Sequence, residues 1–320
     1  MEKGNLEQCY GYPPFSVLDG RGGRWLARKK AWRDFGLTGE VGRGAIHNSL
    51  KTLPFKNSGD LPTWINCSPF DPVLTELLYN WFCPKTGVIL DPFAGGPVRG
   101  VVACLMGRRY IGIDVRPEQV AANQSQARSL CNGADPQPIW IVGDSVRLRE
   151  HTRVQADFVF SCPPYHDLER YSCQPDDLST MPWDVFLGAY RHIIKQACRL
   201  LRDDRFAAFV VGDVRDKAGC YRGLPSETIR AFSDAGLKLY NEAALITPVG
   251  TLALRAHGVF KARKLGKGHQ NVLVFVKGDP RKAARETSPG ALMDLSEIGG
   301  KMILKANPKA SEFGCPGLQN

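Results

Sequence analysis

The chain has 320 residues, of which 43% are hydrophobic and 23% charged, and its formal net charge is +10. A chain of this length can bury one sizeable α/β core together with extensions. Its ten cysteines are scattered, with no Cys-x-x-Cys pair and no His-rich cluster, so neither a disulfide scaffold nor a metal site is predicted and a reducing cytoplasm is favoured. No run of about eighteen apolar residues is present, and no membrane span is expected.

The first 60 residues are rich in glycine and arginine and show little periodicity. Among their basic residues Arg28, Lys29 and Lys30 stand between Trp25 and Trp32. This composition predicts a basic arm over residues 1–60 that either docks on the core or becomes ordered on DNA. Residues 61–280 are predicted to form the catalytic domain, and residues 281–320 a tail with a short helix.

A strand, a turn and a helix are predicted in succession after an amphipathic helix over residues 70–82. The apolar run 87–90 is typical of a buried parallel strand, and residues 91–96 have the composition of a turn. Pro97 suits the start of a helix, apolar residues then recur at helical spacing, and Gly107 suits its end.

Two further strands end in acidic residues. Residues 110–114 end in Asp114, and residues 139–142 lead into Gly143 and Asp144. In a βαβ unit an acid at the end of the second strand accepts the ribose hydroxyls of an adenosine cofactor. We therefore predict that Asp114 binds ribose and that Asp144 receives an adenine amino group.

An apolar strand at 157–161 runs directly into Ser161-Cys-Pro-Pro-Tyr165. Two prolines form a rigid turn at the carboxyl end of such a strand, and an aromatic ring beside them can stack on an extruded base. The Ser161 oxygen or the Pro163 carbonyl would accept a hydrogen bond from an exocyclic amine. A helix over 183–201, a strand over 206–213, a helix over 224–235 and a strand over 269–277 complete the predicted order.

These motifs resemble those of the class I DNA amino-methyltransferases over about residues 61–278. Asp91-Pro-Phe-Ala-Gly-Gly96 is similar to their D-P-F-x-G-x-G turn, and Ser161 to Tyr165 to their [D/N/S]-P-P-[Y/F/W] loop. The resemblance implies a Rossmann-like, doubly wound α/β sheet of mostly parallel strands with an antiparallel last strand, S-adenosylmethionine as cofactor, and methylation of cytosine N4 or, second, adenine N6. It assigns the cofactor to Asp91, Pro92, Phe93, Ala94, Gly95, Asp114 and Asp144, and the base to Ser161, Cys162, Pro163, Pro164 and Tyr165.

Two positions depart from that family pattern. Pro97 stands where the family usually has its second glycine, and Cys162 stands where it has Asp, Asn or Ser. One alternative is therefore a pyrimidine C5 methyltransferase with Cys162 as nucleophile and Glu169 as acid. Another is a non-catalytic nucleic-acid binder with a degenerate methyltransferase fold. The Ser-Cys-Pro-Pro-Tyr run and the segment 13–19 also resemble phage-encoded DNA methylases.

Positive charge is concentrated in a second segment, residues 255–285, which holds nine basic residues and the single acid Asp279. Such clustering beside a base pocket is typical of contacts with a phosphate backbone. We predict that DNA, with RNA as the alternative polymer, contacts both basic segments through Arg28, Lys29, Lys30, Lys261, Arg263, Lys264 and Lys267.

Overall fold

The computed structural model describes residues 6–38, 70–166, 177–248, 250 and 252–298. Residues 39–60 of the predicted arm, Glu169 and residues 299–320 of the predicted tail lie outside this part of the chain. The described helices are α1 (Leu6–Tyr10), α2 (Gly23–Asp34), α3 (Pro72–Phe82), α4 (Val98–Leu105), α5 (Pro117–Leu130), α6 (Leu148–His151), α7 (Trp183–Leu200), α8 (Leu224–Asp234), α9 (Leu252–Lys261) and α10 (Pro280–Arg285). The strands are β1 (Val17–Asp19), β2 (Val88–Asp91), β3 (Arg109–Asp114), β4 (Ile139–Val142), β5 (Ala156–Ser161), β6 (Leu201–Val211), β7 (Lys238–Ile246) and β8 (His269–Lys277).

The strands form one sheet in the order β1-β7-β8-β6-β5-β2-β3-β4. The pairs β4-β3, β3-β2, β2-β5 and β5-β6 are parallel, whereas β8 is antiparallel to both β6 and β7. The predicted α/β sheet of mostly parallel strands with an antiparallel last strand is therefore confirmed. All six residues of β5 are buried, as expected for a strand covered by helices on both faces.

The order of the strands determines where a ligand can bind. After β2 the chain adds β3 on one side, and β5 then pairs with the other side of β2. Loops that leave the carboxyl ends of β2 and β5 consequently diverge to opposite faces of the sheet. A crevice opens at this point in doubly wound folds, and ligands bind in it.

The N-terminal segment is more regular than the composition predicts. Residues 6–38 include two helices and β1, which pairs with β7 at one edge of the sheet. Trp25 and Trp32 are almost completely buried, and they belong to the same hydrophobic cluster as α3 and α4. The prediction of little periodic structure is therefore wrong for these residues. The helical pattern was faint because the buried face of α2 places Arg28 between the two tryptophans.

Strand β7 has no counterpart in the sequence-based prediction. It pairs along most of its length with β8, yet only the last four of its nine residues are more than slightly buried. Because its outer half faces solvent, its composition lacks the apolar run that marks a central strand.

Among the described residues no helix is both long enough and apolar enough to cross a membrane.

Candidate cofactor and substrate pocket

A cavity of about 750 Å³ opens at the carboxyl ends of β2, β3, β5 and β6. Most of the predicted site residues lie on its wall. On the cofactor side these are Pro92, Phe93, Gly95, Asp114 and Asp144, and on the base side Cys162, Pro163, Pro164 and Tyr165. The other three predicted residues, Asp91, Ala94 and Ser161, are fully buried beneath the wall.

The glycine turn after β2 leaves open space above its backbone at Gly95. Gly95 has φ +50°, and a Cβ added there would meet no atom within 4 Å, so the residue faces open space. Its N–H donates to Asp114 Oδ2 at 2.9 Å, and its carbonyl accepts from Asn123 Nδ2 at 2.7 Å. These bonds hold the turn against β3 and α5, and the space above Gly95 is left for a ligand.

Pro97, which stands where the resembled family usually has a glycine, does not disturb the turn. Pro97 has φ −74° and immediately precedes the first residue of α4. A proline ring is restricted to this range of φ, and its missing N–H is not required at a helix start. The left-handed conformation that needs glycine is supplied by Gly95 instead.

Asp114 lies at the end of β3, and each of its carboxylate oxygens accepts one backbone hydrogen bond. Oδ1 accepts from the Arg116 N–H at 2.9 Å and Oδ2 from the Gly95 N–H. Burial raises the pKa of this carboxyl, although the guanidinium and N–H of Arg116 oppose the effect. A carboxylate kept in so dry a place favours hydrogen-bond donors from a ligand that enters the cavity.

Asp144 also lies on the cavity wall, at the end of β4. Its Oδ1 caps a short 3-10 helix by accepting from the Val146 N–H at 2.8 Å. Each carboxylate oxygen has two lone pairs, and within the described residues only Oδ1 accepts a hydrogen bond, so the side chain retains capacity for a further donor.

Asp91 has a structural position rather than the cofactor contact that the resemblance implies. Its side chain is fully buried and accepts hydrogen bonds from Arg99 Nε at 2.6 Å, Tyr110 Oη at 2.7 Å and Ser161 Oγ at 2.5 Å. Burial and the nearby Asp91 carboxylate raise the pKa of Tyr110 well above its ordinary value, so the phenol remains a donor. The structure therefore places Asp91 behind the cofactor turn.

Ser161 is turned away from the base side. Its hydroxyl donates to Asp91 and accepts from the Phe93 N–H at 3.2 Å. Of the two predicted acceptors for a base amine, this position favours the Pro163 carbonyl, because the Ser161 hydroxyl is fully buried and bonded to the glycine turn. Ala94 is likewise buried, and its carbonyl accepts from Arg99 Nη2 at 2.9 Å.

The loop after β5 places the remaining base-side residues in contact with β6 and β8. The Tyr165 hydroxyl accepts from Gln270 Nε2 at 2.7 Å and lies 3.4 Å from Cys162 Sγ. The ring of Tyr165 passes close to Gly212, where an added Cβ would stand 3.5 Å from it. The tyrosine ring is thus held at both its edge and its hydroxyl.

Sequence reasoning missed Arg99, which lies on the cavity wall although only 4% of it is exposed. Its guanidinium donates to Asp91 and to the Phe93 carbonyl at 2.6 Å, and it lies 4.5 Å from the ring centroid of Phe70. Burial alone would lower its pKa, but Asp91 raises it, so the group stays charged. The sequence feature that could have revealed it is a single arginine within the otherwise apolar residues 98–105.

The three basic residues predicted in the N-terminal segment each pair with an acid. Arg28 pairs with the buried Glu76 of α3 and also donates to the Met293 carbonyl at 2.8 Å. Lys29 lies on the cavity wall, 2.9 Å from Asp71, and Lys30 lies 2.5 Å from Asp34. The phosphate contact of Arg28 stays a prediction, and its ion pair with the buried Glu76 argues against it.

The second basic segment is arranged differently. Lys267 lies on the cavity wall, whereas Lys261 ends α9 and is exposed. Arg263 lies 5.3 Å from the ring centroid of Phe260, and Lys264 packs over Gly219. Within the described residues no carboxylate is in ion-pair distance of any of these four cations.

The wall fits an adenosine-type cofactor. Asp114 can accept from ribose hydroxyls, the open space over Gly95 admits a chain that passes close to the backbone, and Asp144 has acceptor capacity at the end of the neighbouring strand. This is the donor and acceptor pattern by which doubly wound folds bind such cofactors. The described residues contain no group of three or more His, Cys, Asp or Glu side chains that would hold a metal ion.

Comparisons with profiles of known protein families and with curated sequences find no match. Similar solved structures include TrmN from Thermus thermophilus, which is 15% identical, with a TM-score of 0.45 over 67% of this chain and 51% of that protein. This chain therefore spans about half the length of TrmN. An S-adenosylmethionine-dependent methyltransferase from Methanosarcina mazei is 14% identical, with a TM-score of 0.43 over 63% of this chain and 96% of that one.

A third similar structure is magnesium protoporphyrin IX methyltransferase from Synechocystis with bound S-adenosylmethionine. It is 13% identical, with a TM-score of 0.39 over 61% of this chain and 71% of that one. In this chain itself, antiparallel β8 lies between β6 and β7, and the glycine turn follows β2 at the switch in strand order. By this topology the chain has a Rossmann-like, doubly wound α/β fold.

Proposed function

We propose that the chain is an S-adenosylmethionine-dependent methyltransferase that acts on an exocyclic amine of a base in DNA, cytosine N4 first and adenine N6 second. One observation carries the proposal: the glycine turn with Asp114 and the Cys162 to Tyr165 loop line a single cavity. A cofactor on one side and a base on the other would then lie next to each other.

The cofactor supplies an activated methyl group when it is bound. On the protein side, Asp114 would accept hydrogen bonds from the ribose hydroxyls, and Asp144 would accept one from the adenine amine. The Gly95 turn would let the cofactor approach the backbone closely, because no side chain fills that space. Most of the rate enhancement would come from holding the two reactants in line, which converts a bimolecular step into an intramolecular one.

On the base side, the Tyr165 ring would stack on an extruded base. Its hydroxyl is bonded by Gln270, so the ring is oriented before the base arrives. With Ser161 buried, the Pro163 carbonyl is the remaining strong acceptor of the loop for the amine, and Cys162 is a weaker one. Accepting a hydrogen bond from the amine directs the nitrogen lone pair toward the methyl group.

The charge distribution supports a polyanionic substrate. Arg28, Lys29 and Lys30 pair with acids of the same chain. Lys267 lies at the cavity, and Lys261, Arg263 and Lys264 lie near it along the chain. None of these four has an ion pair within the described residues. Cations that no carboxylate neutralises can replace counterions along a phosphate backbone. We therefore assign the nucleic-acid contact to the second basic segment.

Methylation of pyrimidine C5 is the second candidate, because Cys162 lies on the cavity wall and is only partly buried. Its thiolate would attack C6 of the ring and form a covalent adduct. Its thiol lies 3.4 Å from the Tyr165 hydroxyl, beside the ring on which a base would stack. A covalent enzyme–DNA adduct is therefore the intermediate that distinguishes this chemistry from amine methylation, and it is resolved when C5 has accepted the methyl group and lost its proton.

Nucleoside mass spectrometry of DNA and RNA from cells that express the chain tests the proposal. We expect N4-methylcytosine, or else N6-methyladenine, in DNA, and neither in cells that express Asp114→Ala. Detection of 5-methylcytosine and no methylated amine would establish pyrimidine C5 methylation. A methylated base found in RNA and not in DNA would show that the substrate is RNA. If calorimetry detects no S-adenosylmethionine binding and no nucleoside is modified, the chain is a non-catalytic binder.

A further inference from the structure

Two neighbouring segments meet at the mouth of the cavity. The loop 212–223 joins β6 to α8, and the segment 262–268 joins α9 to β8. Gly212 and Asp213 of the loop and Lys267 of the segment all line the cavity. Arg215 and Tyr221 form an isolated antiparallel bridge that closes the loop on itself.

Tyr221 carries two cations on its ring and remains 48% exposed. The Arg215 guanidinium lies 3.8 Å from the ring centroid, and the Lys267 ammonium lies 5.7 Å from it. Arg215 also donates from Nη1 to the Gly219 carbonyl at 2.8 Å. An aromatic face orders these cations without neutralising them, because the attraction is to the ring quadrupole and not to an acid.

The two segments interlock at Gly219. This residue has φ +91°, and a Cβ placed on it would lie 2.1 Å from Lys264 Nζ. Only glycine both adopts this backbone conformation readily and leaves room for the lysine. Lys264 therefore lies beside Gly219, whose carbonyl accepts from Arg215.

The acids of the loop are engaged elsewhere. Asp213 Oδ1 accepts the N–H groups of Val214, Gly223 and Leu224 at 2.9, 2.9 and 3.2 Å. Asp216 Oδ1 accepts the Cys220 N–H at 2.9 Å. Within the described residues, no carboxylate is in ion-pair distance of Arg215 or Lys267.

Lys267 lies in an environment that disfavours its positive charge, and a bound anion would stabilise that charge. Burial lowers its pKa, the Asp213 carboxylate opposes this, and the neighbouring Arg215 lowers it further. A charge that is partly desolvated and placed beside another cation gains when an anion joins the pair.

We propose that Arg215 and Lys267, held on the ring of Tyr221, bind the phosphate of the nucleotide whose base occupies the cavity. This inference rests on the proposed function. A nucleotide whose base is inside the cavity must leave its phosphate at the mouth, since the sugar joins the two. Cations that are already ordered lose less side-chain entropy on binding than free ones do.

The test measures binding of a fluorescent single-stranded oligonucleotide at several salt concentrations, with wild type and with Arg215→Gln/Lys267→Gln. Loss of this one phosphate contact on a single strand should reduce the slope of log K against log salt by about 0.7. At 0.1 M salt the same loss corresponds to about 5-fold weaker binding. Tyr221→Ala should weaken binding in the same direction, whereas Tyr221→Phe, which keeps the ring, should bind like wild type.

The matched control is Arg128→Gln/Arg281→Gln, which removes the same charge from exposed residues of α5 and α10. It should change neither the slope nor the affinity by a comparable amount. If the Arg215/Lys267 variant equals this control while the wild type still methylates DNA, the phosphate site is wrong and the proposed function stands.

A second probe separates the polymer from a free nucleotide. If the wild type neither binds nor methylates an oligonucleotide, the proposed function fails, and nucleoside 5′-monophosphates are compared with the corresponding nucleosides. Tighter binding of the monophosphate that disappears in Arg215→Gln/Lys267→Gln would retain the phosphate site with a free nucleotide as its source. Equal binding of monophosphate and nucleoside would overturn the site.

Discussion

Asp91 at the end of β2 accepts a hydrogen bond of 2.5 Å from Ser161 at the end of β5. The Phe93 N–H, two residues beyond Asp91, donates to the same serine oxygen at 3.2 Å. The glycine turn on the cofactor side and the Pro-Pro-Tyr loop on the base side are therefore tied to each other beneath the cavity floor. Displacement of one loop should displace the other.

Ser161→Ala should weaken both halves of the site. It removes a hydrogen bond to a buried carboxylate, which is worth roughly 1.5–3 kcal/mol of unfolding free energy. We expect urea denaturation to show this loss, and we expect methyl transfer to fall while the cofactor dissociation constant rises.

Thr228→Val is the control for Ser161→Ala. Thr228 is fully buried, bonds Tyr190 Oη at 2.8 Å between α7 and α8, and belongs to neither of the two loops. The variant should lose about 0.5–1.5 kcal/mol of unfolding free energy, as expected for a hydrogen bond between neutral groups, and keep normal cofactor affinity. Equal effects of the two variants on cofactor affinity would show that Ser161 acts only on overall stability.

Asp114→Ala should reduce affinity for S-adenosylmethionine by at least about tenfold, because charge-assisted hydrogen bonds to the ribose are lost. Calorimetric titration of the folded variant measures this directly. An affinity equal to that of the wild type would remove Asp114 from the cofactor site.

The affinity for the cofactor should depend on pH through protonation of the Asp114 carboxyl. Burial raises the pKa of Asp114 in the cofactor-free fold, so the stability that its protonated form contributes is lost as the pH rises through that raised value. The cofactor requires the ionised form, so its affinity should fall as the pH falls through the same value. Titrations from neutral pH into the acidic range should show this decline in the wild type and a flat profile in Asp114→Ala.

Cys162→Ser distinguishes the two chemistries of the base side. If an exocyclic amine is methylated, a hydroxyl is at least as good an acceptor as a thiol, and the variant should keep substantial activity. Tyr165→Ala should instead cost on the order of 1–3 kcal/mol through lost stacking. A denaturant-resistant complex with 5-fluorocytosine DNA that forms with wild type and not with Cys162→Ser would establish C5 attack.

Arg28→Ala should destabilise the fold and leave nucleic-acid binding unchanged. It leaves the buried carboxylate of Glu76 without its ion pair, which typically costs about 3–5 kcal/mol. Lys30→Ala, which breaks an exposed pair with Asp34, should cost no more than about 0.5 kcal/mol. Neither variant should change the salt slope of oligonucleotide binding, and a changed slope for Arg28→Ala would return this residue to the nucleic-acid surface.

Local patterns predicted most elements of the central sheet and their order, but they missed β1, α2 and β7. The strand over residues 139–142 was predicted with the bounds that the structure has, and the helix α4 was predicted to begin at Pro97, one residue before its observed start. Strand alternation, helical spacing and the turn residues between them are properties of neighbouring residues, so the sequence alone carries them. The same reasoning placed Asp114 and Tyr165 on the cavity wall.

Tertiary contacts decided which polar side chains face the cavity. Asp91 and Ser161 belong to motifs that the sequence marks clearly, but Arg99 and Tyr110 draw the Asp91 carboxylate inward, and Ser161 follows it. Arg28 is likewise directed into the core by Glu76, 48 residues away. A buried charge must find a partner of opposite sign, and that partner is set by how distant segments pack.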